Sequence, residues 1–473
     1  MTNTTSKSKR YYLKASERRS LLIVGDIIVC ALALLIALYI WAAGDAWLDF
    51  SIEFIRTRPP FWYFLLPLFW LVLMIELYDL RRAGSVVETL KGIGLAVLIS
   101  GLLYLLAYFT SEPNSLPRIG VAVFIIVVAI LEFVWRFIFI KIFTINHLMR
   151  QVLIIGAGKA GTTLVDIYNR QKVKPFNLLG LIDDDPQRIG TKVNGVEILG
   201  NTQDLLRLIE EHEVSDLILA IMGEMRDDTF QAILTAQEGG ITLTSMSDTY
   251  EEILGRVPIN LLEADWVIRS FVQKVDAGTI YRFAKRLLDI FGAIIGIVIL
   301  ILLFPFVALF MLIDSGLPII YRQERLGRGG NPYIIYKFRT MRQDAERDGE
   351  VQVTSKKDPR ITRVGSFLRK THLDELPQFV NVLQGSMSLV GPRSERAELV
   401  SVFQKEIPFY RARLLVKPGL TGWAQINYQY AETVAQTAIK LEYDLYYIEH
   451  RNIFMDIIII IRTLGTVFGF KGR

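Results

Sequence analysis

Long apolar runs dominate the first third of the chain and predict a membrane domain. A helix needs about 20 apolar residues to cross roughly 30 Å of hydrocarbon. Four runs come near that length, at residues 20–41, 61–78, 92–109 and 119–143. The first is too long for the apolar part of a signal peptide and lacks a convincing cleavage site, so we expect it to be retained. Residues 20–145 therefore predict four spanning helices behind a polar, basic tail, residues 1–19.

Basic residues are spread unevenly around these runs. They cluster in the tail, between the second and third runs and after the fourth, whereas the other two loops carry few. Cytoplasmic loops of membrane proteins are enriched in lysine and arginine, so both ends of this domain are expected in the cytoplasm. Glu132 and Arg136 lie inside the fourth run, where an ion pair between helices or an arginine reaching the interface is favoured over a functional site.

The middle of the chain (150–275) alternates short apolar runs with helical patterns and predicts a Rossmann-like α/β domain. The segment GAGKAG follows the first strand and gives Gly156, Gly158 and Gly161 the G-x-G-x-x-G spacing, and a second strand ends at Asp183. In a dinucleotide-binding unit such glycines admit a pyrophosphate and the acid meets a ribose. The same glycines fit a tight turn with no ligand, and both interpretations stay open.

A further apolar stretch at residues 287–313 is interrupted by Pro305. Lys285 and Arg286 precede it and more arginines follow it. A full crossing would carry that second basic cluster outside, against the usual charge bias, and a proline breaks or kinks a helix. The pattern favours a re-entrant hairpin with both ends in the cytoplasm, and a fifth span kinked at the proline is the alternative.

Composition excludes several classes of protein. Hydrophobic residues make up 52% of the chain and the net charge is only +5, which supports a membrane protein and argues against nucleic acid as a partner. The single cysteine, Cys30, forms no disulfide framework, and the scattered histidines predict no zinc site. The apolar tail at residues 453–470 is short for a span and suits a helix at the membrane surface.

Candidate chemistry lies in RKTHLDELPQ (residues 369–378), where Asp374 and Glu375 are adjacent. Proline is tolerated in a first helical turn, so Pro377 places both acids near a helix start. Side chains of neighbouring helical residues point about 100° apart, so the two carboxylates can take different roles. An exposed acidic pair that only tunes the helix end is the alternative, and taken alone the pair favours it.

The cations around this pair change the balance. SLVGPRSER supplies Arg393 and Arg396, and YKFRTM supplies Lys337 and Arg339. Guanidinium groups match phosphate oxygens, and carboxylates among cations predict a site for Mg²⁺ and a diphosphate. In the loop KPGLTGWAQ, Trp423 is an aromatic that could stack on a base.

Six ordered segments now allow a resemblance to be stated: KRLLD, RQERLGRGG, YKFRTM, LRKTHLDELPQ, NVLQGSMSLVGPR and KPGLTGWAQ. Over about 190 residues the chain resembles the bacterial sugar transferase family, the monotopic polyprenyl-phosphate hexose-1-phosphate transferases. The four spans and the α/β unit before this region resemble the long-form members that initiate exopolysaccharide or O-antigen assembly. One departure is visible, since PRSER stands where many members carry PRP, and it leaves the contacts of Arg396 open.

The resemblance implies transfer of hexose-1-phosphate from a UDP-sugar, with glucose or galactose as leading candidates, to undecaprenyl phosphate, releasing UMP. It implies that Asp374 is the nucleophile that forms a phosphosugar intermediate and a ligand of the required Mg²⁺, with Glu375 as its partner. Arg369 and Arg393 match phosphate-contacting arginines, and Lys337 and Arg339 are assigned to the phosphates with them. The residues assigned to the nucleotide side are Lys417, Gly419, Thr421, Gly422, Trp423 and Gln425.

The fold expected from all this has three parts: a helical membrane bundle, the Rossmann-like domain, and a mostly α monotopic catalytic domain at residues 280–473 that contains the hairpin. The catalytic domain is expected to face the cytoplasm from the bacterial inner membrane, with the lipid bilayer as a partner, and a homodimer is left open. Two other classes remain: an NAD-dependent sugar-nucleotide dehydratase or epimerase, and a scaffold without activity. The Tyr-x-x-x-Lys pair of the former occurs twice, at Tyr281 and Tyr333, but outside the α/β unit.

Overall fold

The computed structural model describes residues 15–45, 47–78, 80–110, 117–143, 149–171, 173–261, 278–342, 358–428 and 433–468. The chain forms two compact units, Met1–Glu252 and Ile253–Arg473. The sequence predicts that the catalytic domain begins near residue 280, which lies inside the second unit.

The first unit opens with a helical bundle. Its helices are α1 (Ala15–Ala43), α2 (Ile52–Thr57), α3 (Leu66–Leu73), α4 (Leu80–Ala83), α5 (Val86–Thr110) and α6 (Arg118–Phe143). Among the described residues of this unit, α1, α5 and α6 are long and apolar enough to cross a membrane. They coincide with three of the four predicted spans.

Residues 61–78 differ from the prediction of one continuous helix. They form a 3₁₀ turn at Phe61–Leu65, the eight-residue α3, and a second 3₁₀ turn at Ile75–Tyr78. A proline in the first turn of α3 supplies no N–H for the preceding turn, so α3 starts afresh there. Hydropathy alone did not show this interruption.

A buried ion cluster joins α1 to α6. Arg136 donates to Asp26 Oδ2 at 2.5 Å, to Glu132 Oε1 at 3.0 Å and to the carbonyl of Leu77 at 2.9 Å. All three charged side chains are fully buried. A buried ion pair broken on one side is strongly destabilising, so this cluster fixes the packing of the two helices. The expectation of an ion pair between helices is confirmed.

The α/β part of the first unit is a six-stranded sheet with the order β3-β4-β2-β1-β5-β6. All pairings are parallel except β3 with β4. The strands are β1 (Gln151–Ile155), β2 (Asn177–Ile182), β3 (Lys192–Val193), β4 (Val196–Gly200), β5 (Asp216–Leu219) and β6 (Thr242–Ser245). The helices are α7 (Lys159–Arg170), α8 (Leu205–Glu211), α9 (Asp227–Glu238) and α10 (Met246–Leu254), the last of which ends just inside the second unit.

The second unit is built along one 37-residue helix, α11 (Thr279–Ser315). Near its start, Asp289 Oδ1 accepts the N–H of Leu389 at 2.8 Å. Near its end, Asp314 Oδ2 accepts the N–H of Val364 at 2.9 Å. Both ends of α11 therefore contact the same unit, while many of its apolar side chains between them are exposed. The helix continues through Pro305, so the described backbone is one helix and the re-entrant arrangement stays a prediction.

The remainder of this unit packs around α11. The strands are β7 (Ile320–Leu326), β8 (Pro332–Phe338), β9 (Ser388–Val390) and β10 (Gly419–Thr421), paired as an antiparallel hairpin and a short parallel ladder. The helices are α12 (Arg363–Lys370), α13 (Gln378–Gln384), α14 (Ala397–Glu406), α15 (Trp423–Asn427), α16 (Val434–His450) and α17 (Ile453–Phe468). Val257 and Ile259 are buried in the same core, and the N–H of Val257 donates to the carbonyl of Glu442 at 3.1 Å.

Candidate active site

The two candidate carboxylates lie on a short 3₁₀ turn, Leu373–Glu375, between α12 and α13. His372 before the turn has a φ of 57°, a left-handed conformation that side chains rarely adopt, and it reverses the chain after α12. Pro377 is the N-cap residue of α13. The acids thus sit just before a helix start, as the sequence predicted.

Glu375 is held between two cations. Its Oε1 lies 3.1 Å from Lys337 Nζ and 2.5 Å from Arg393 Nη2, and its side chain is 12% exposed. Lys337 comes from β8 and Arg393 from the loop after β9. The fold therefore brings together three residues that the sequence assigned to the site. Asp374 beside them makes no hydrogen bond with any residue that the structure describes.

The two acids have opposite electrostatic environments. Burial would raise the pKa of Glu375, but Arg393 and Lys337 outweigh it and hold that pKa far below the usual range. Burial raises the pKa of Asp374 to about 6, and the negative charge of Glu375 adds to the effect. Glu375 is thus a fixed anion, whereas Asp374 is a carboxylate without a bonded cation.

Two further predicted arginines have different fates. Arg369 lies in the last turn of α12, and its buried Nη1 has no hydrogen-bond partner among the described residues, which is compatible with the predicted contact to an anion. Arg339 is 6% exposed and donates to the carbonyls of Ser315, Gly316 and Leu317 at 2.5–2.8 Å. These bonds cap the end of α11, while the buried Nε of Arg339 has no hydrogen-bond partner among the described residues, so its contact with phosphate stays a prediction.

The glycines of the KPGLTGWAQ loop pack two backbones together. A Cβ on Gly419 would lie 2.0 Å from the N of Gly391, and one on Gly422 would lie 2.2 Å from the carbonyl oxygen of Gly391. The N–H of Gly391 donates to the carbonyl of Thr421 at 2.9 Å. These glycines allow the loop to brace the segment that leads to Arg393, and their predicted contact with a nucleotide is not tested by this packing.

Trp423 has little free aromatic surface. Its ring stacks on Tyr446 with centroids 5.8 Å apart, and the guanidinium of Arg462 lies 5.6 Å from its centroid. Its Nε1 donates to the carbonyl of Gly255 at 2.8 Å. These contacts hold the partly buried ring in place, and its stacking on a base stays a prediction.

Gln425 and Lys417, which the sequence also assigned to the nucleotide side, have other neighbours than Asp374 and Glu375. Gln425 donates to the carbonyl of Leu420 at 3.2 Å. Burial and the neighbouring Arg286 lower the pKa of Lys417. Among the residues that the structure describes, no hydrogen bond or ion pair joins this loop to Asp374 or Glu375, so the nucleotide side remains a prediction.

Sequence reasoning missed a second charged cluster behind Arg393. Arg413 Nη2 donates to Asp444 Oδ2 at 2.9 Å, and Lys440 Nζ lies 3.3 Å from Glu395 Oε1. Lys440 and Asp444 are four residues apart on α16, so they share one face of that helix. The sequence offered one sign of this cluster, since Lys440 and Asp444 are charged residues on a helix whose other residues are largely apolar.

The glycine motif of the first unit adjoins a cavity of about 370 Å³ at the carboxyl ends of β1, β2 and β5. Gly156 has a φ of 103°, and a Cβ on Gly161 would lie 2.0 Å from the carbonyl oxygen of Gly156. Gly158 lines the cavity. Asp183 already accepts the N–H groups of Ala157 and Asp185 at 2.8 and 3.0 Å. The turn thus requires Gly156 and Gly161, whereas a Cβ on Gly158 would meet open space, and a nucleotide in this cavity stays a prediction.

A carboxylate pair among cations thus lies in a unit that also carries a long, largely exposed apolar helix, a combination that suits a phosphate-transferring enzyme bound to a membrane. Residues 280–470 match the model of the bacterial sugar transferase family, and residues 74–231 match a CoA-binding domain model. Two relatives are UDP-glucose:undecaprenyl-phosphate glucose-1-phosphate transferases. That of Xanthomonas campestris pv. campestris is 32% identical over 69% of each chain, and that of Escherichia coli (strain K12) is 32% identical over 68% of each. The chain belongs to the bacterial sugar transferase family.

A third relative carries a different sugar in its name. The UDP-N-acetylgalactosamine-undecaprenyl-phosphate N-acetylgalactosaminephosphotransferase of Aeromonas hydrophila is 37% identical over 54% of this chain. The match spans 60% of that relative's own length.

Proposed function

We propose that this chain transfers a hexose-1-phosphate from a UDP-sugar to undecaprenyl phosphate, as an early membrane step of polysaccharide synthesis. The observation that carries the proposal is the division of charge at Asp374 and Glu375, in a domain of the sugar transferase family. Glucose and galactose are the first donors to test, and the Aeromonas relative adds N-acetylgalactosamine.

The proposed reaction has two displacements at one phosphorus atom. A carboxylate oxygen of Asp374 attacks the sugar-bearing phosphorus of the UDP-sugar, and the bond between that phosphorus and the bridging oxygen breaks, so UMP leaves. A phosphate oxygen of undecaprenyl phosphate then attacks the same phosphorus and releases the carboxylate. Covalent catalysis of this kind lets one site serve a soluble donor and a lipid acceptor in turn.

The surrounding residues have distinct duties in this scheme. Arg369 and Arg393 contact phosphate oxygens, a role that the unpaired Nη1 of Arg369 supports, and Lys337 with Arg393 keeps Glu375 ionised. Asp374 fits the donor type that Mg²⁺ takes, one carboxylate together with substrate phosphates. A bound Mg²⁺ would offset negative charge on the diphosphate. A dehydratase or a scaffold would not require this pair of carboxylates and the cations around it.

The decisive experiment compares the parent with Asp374→Asn, which keeps the side-chain shape and removes the charge. UMP release from UDP-glucose, UDP-galactose and UDP-N-acetylgalactosamine is measured with Mg²⁺ and without acceptor lipid. We expect the variant to be slower by about 10³-fold or more, as for the loss of other nucleophiles. Near-normal release by Asp374→Asn would refute the assignment. Removal of Mg²⁺ with a chelator is expected to stop the parent.

The re-entrant arrangement is part of this proposal, with α11 entering and leaving the membrane on the cytoplasmic side. It is supported by the hydrogen bonds at both ends of α11 to one unit. Single cysteines at Thr279 and Glu398, in a Cys30→Ser background, are labelled with an impermeant thiol reagent. Both should react only after cell lysis. Reaction of the Glu398 site alone in intact cells would show that α11 crosses the membrane.

A further inference from the structure

The loop that carries Arg393 has no regular secondary structure of its own, and other segments hold it. Backbone carbonyls of four successive residues each accept a hydrogen bond from elsewhere. The pairs are Gly419 N–H to Pro392 at 2.9 Å, Arg413 Nη2 to Arg393 at 2.9 Å, Arg325 Nη1 to Ser394 at 3.5 Å, and Leu326 N–H to Glu395 at 3.0 Å. The direction of the Arg393 side chain toward Glu375 therefore depends on these donors.

Arg413 differs from the other donors because it is a buried charged side chain. It lies on the 3₁₀ turn Tyr410–Leu415 and is 3% exposed. Besides the carbonyl of Arg393, its guanidinium meets Tyr410 Oη at 2.8 Å, Asp444 Oδ2 at 2.9 Å and Glu395 Oε1 at 3.4 Å. A planar group with five N–H donors can serve four acceptors at once, which the three donors of a lysine ammonium cannot do in this geometry.

The charges around Arg413 are anchored on α16. Asp444 is 2% exposed at its side chain, and Lys440 one turn earlier pairs with Glu395 at 3.3 Å. The set contains two cations and two carboxylates, so its charges balance without solvent. Lys440 and Arg413 hold the pKa of Glu395 down to about 2 although burial alone would raise it, so that carboxylate stays charged. A continuous series of contacts thus runs from α16 through Arg413 and the backbone of Arg393 to Glu375.

We propose that Arg413 is a positioning residue for the transfer reaction: it sets the orientation of Arg393 against Glu375, with Asp444 as its anchor. This proposal rests on the proposed function, since it names what holds the site in its working geometry. A misplacement of about 1 Å at a reacting group can cost roughly 10²-fold in rate. A change at Arg413 should therefore act on kcat through Arg393, although Arg413 itself touches neither carboxylate of the dyad in the described contacts.

The test is a double-mutant cycle on the full chain, with UMP release followed using labelled UDP-sugar so that slow variants remain measurable. Arg413→Lys should lower kcat by roughly 10- to 100-fold and leave the KM for UDP-sugar within about threefold. In an Arg393→Lys background the same change should cost less than about threefold, because its effect passes through Arg393. Arg411→Lys is the matched control, an exposed arginine on the same turn, and should keep parental kcat.

Two results would overturn the proposal. One is a kcat of Arg413→Lys within twofold of the parent; the other is an equal loss in both backgrounds, which would mean that Arg413 only supports the fold. If Arg413→Lys does not fold, Asp444→Asn replaces it in the same cycle, and additive losses there would also refute the role. Failure of the proposed function would look different, because Asp374→Asn would then remain active or the parent would release no UMP.

Discussion

At the scale of single residues, two adjacent carboxylates differ because their neighbours differ. Glu375 has Lys337 and Arg393 within 3.1 Å of one oxygen, whereas Asp374 has no bonded cation. Environments that push the pKa values of paired acids apart assign them separate tasks. Glu375 is an anion held by two cations, and this separation supports the proposal that Asp374 is the reacting group.

The pH dependence of the first half-reaction follows from this separation. The pKa of Asp374 is raised to about 6, so this proposed nucleophile is charged above that pH and becomes protonated below it. UMP release without acceptor lipid, measured as kcat/KM at low Mg²⁺, should therefore fall as pH decreases through about 6. Glu375→Gln removes the negative neighbour that helps to raise this pKa and frees two cations, so the acid limb should move to lower pH, with a lower maximal rate.

The matched control for that shift is Glu398→Gln, an exposed acid in the first turn of α14. Its acid limb should coincide with that of the parent. If the limb of Glu375→Gln stays where the parent has it, the fall in activity does not report Asp374.

Residue types were easier to predict than residue partners. Asp374, Glu375, Lys337 and Arg393 were recognisable because their motifs combine acids with cations, and the fold brings all four together. The hydrogen bonds of Arg339 could not be predicted, because the three carbonyls that it binds at the end of α11 lie more than 20 residues away in sequence. The identity of a basic residue in a motif does not show whether its partner is a phosphate or the carbonyls at the end of a helix.

At the scale of elements, the capping of α11 by Arg339 makes a prediction opposite to the one its motif suggested. Arg339→Gln should leave the KM for UDP-sugar unchanged and lower thermal stability, since it removes charge-assisted hydrogen bonds worth about 1.5–3 kcal/mol each. Arg342→Gln, an exposed arginine three residues later, is the control and should change neither quantity. A several-fold rise in the KM for UDP-sugar, with an unchanged melting temperature, would instead support phosphate binding by Arg339.

Helices and strands were predictable where hydropathy and backbone preferences agreed, and not where a proline opposed the hydropathy pattern. The runs that became α1, α5 and α6 are long, largely apolar and free of proline, and the strand–glycine–helix order gave β1 and α7. Residues 61–78 have the same hydropathy but contain a proline in the first turn of α3, and local backbone chemistry divided the helix. Conversely, Pro305 left α11 as one helix, because the contacts near Asp289 and Asp314 hold it on either side.

At the scale of the whole molecule, the boundary of the catalytic unit is set by burial that the sequence could not show. The sequence placed the start near residue 280, after the α/β pattern fades. In the structure, Val257 and Ile259 are 0% and 1% exposed in the core of the second unit. Arg256 Nε lies 3.2 Å from Glu442 Oε2, and the carbonyl of Gly255 accepts the Trp423 side chain. A short segment before the apparent linker therefore belongs to the catalytic unit.

This boundary decides how the chain can be shortened. A truncated chain that begins at Ile253 keeps every catalytic residue and the buried segment, so it should release UMP in detergent and melt cooperatively. One that begins at Ala277 loses Val257 and Ile259, and each buried aliphatic side chain contributes roughly 1.5–3 kcal/mol. The shorter chain should therefore melt at a lower temperature and lose activity in parallel.

The full-length double variant Val257→Ala/Ile259→Ala separates the effect of packing from that of chain length. It should be destabilised like the shorter chain while retaining the first unit. Equal stability of the two truncated chains would place the boundary near residue 280, and an inactive but well-folded chain from Ile253 would mean that the first unit contributes to catalysis.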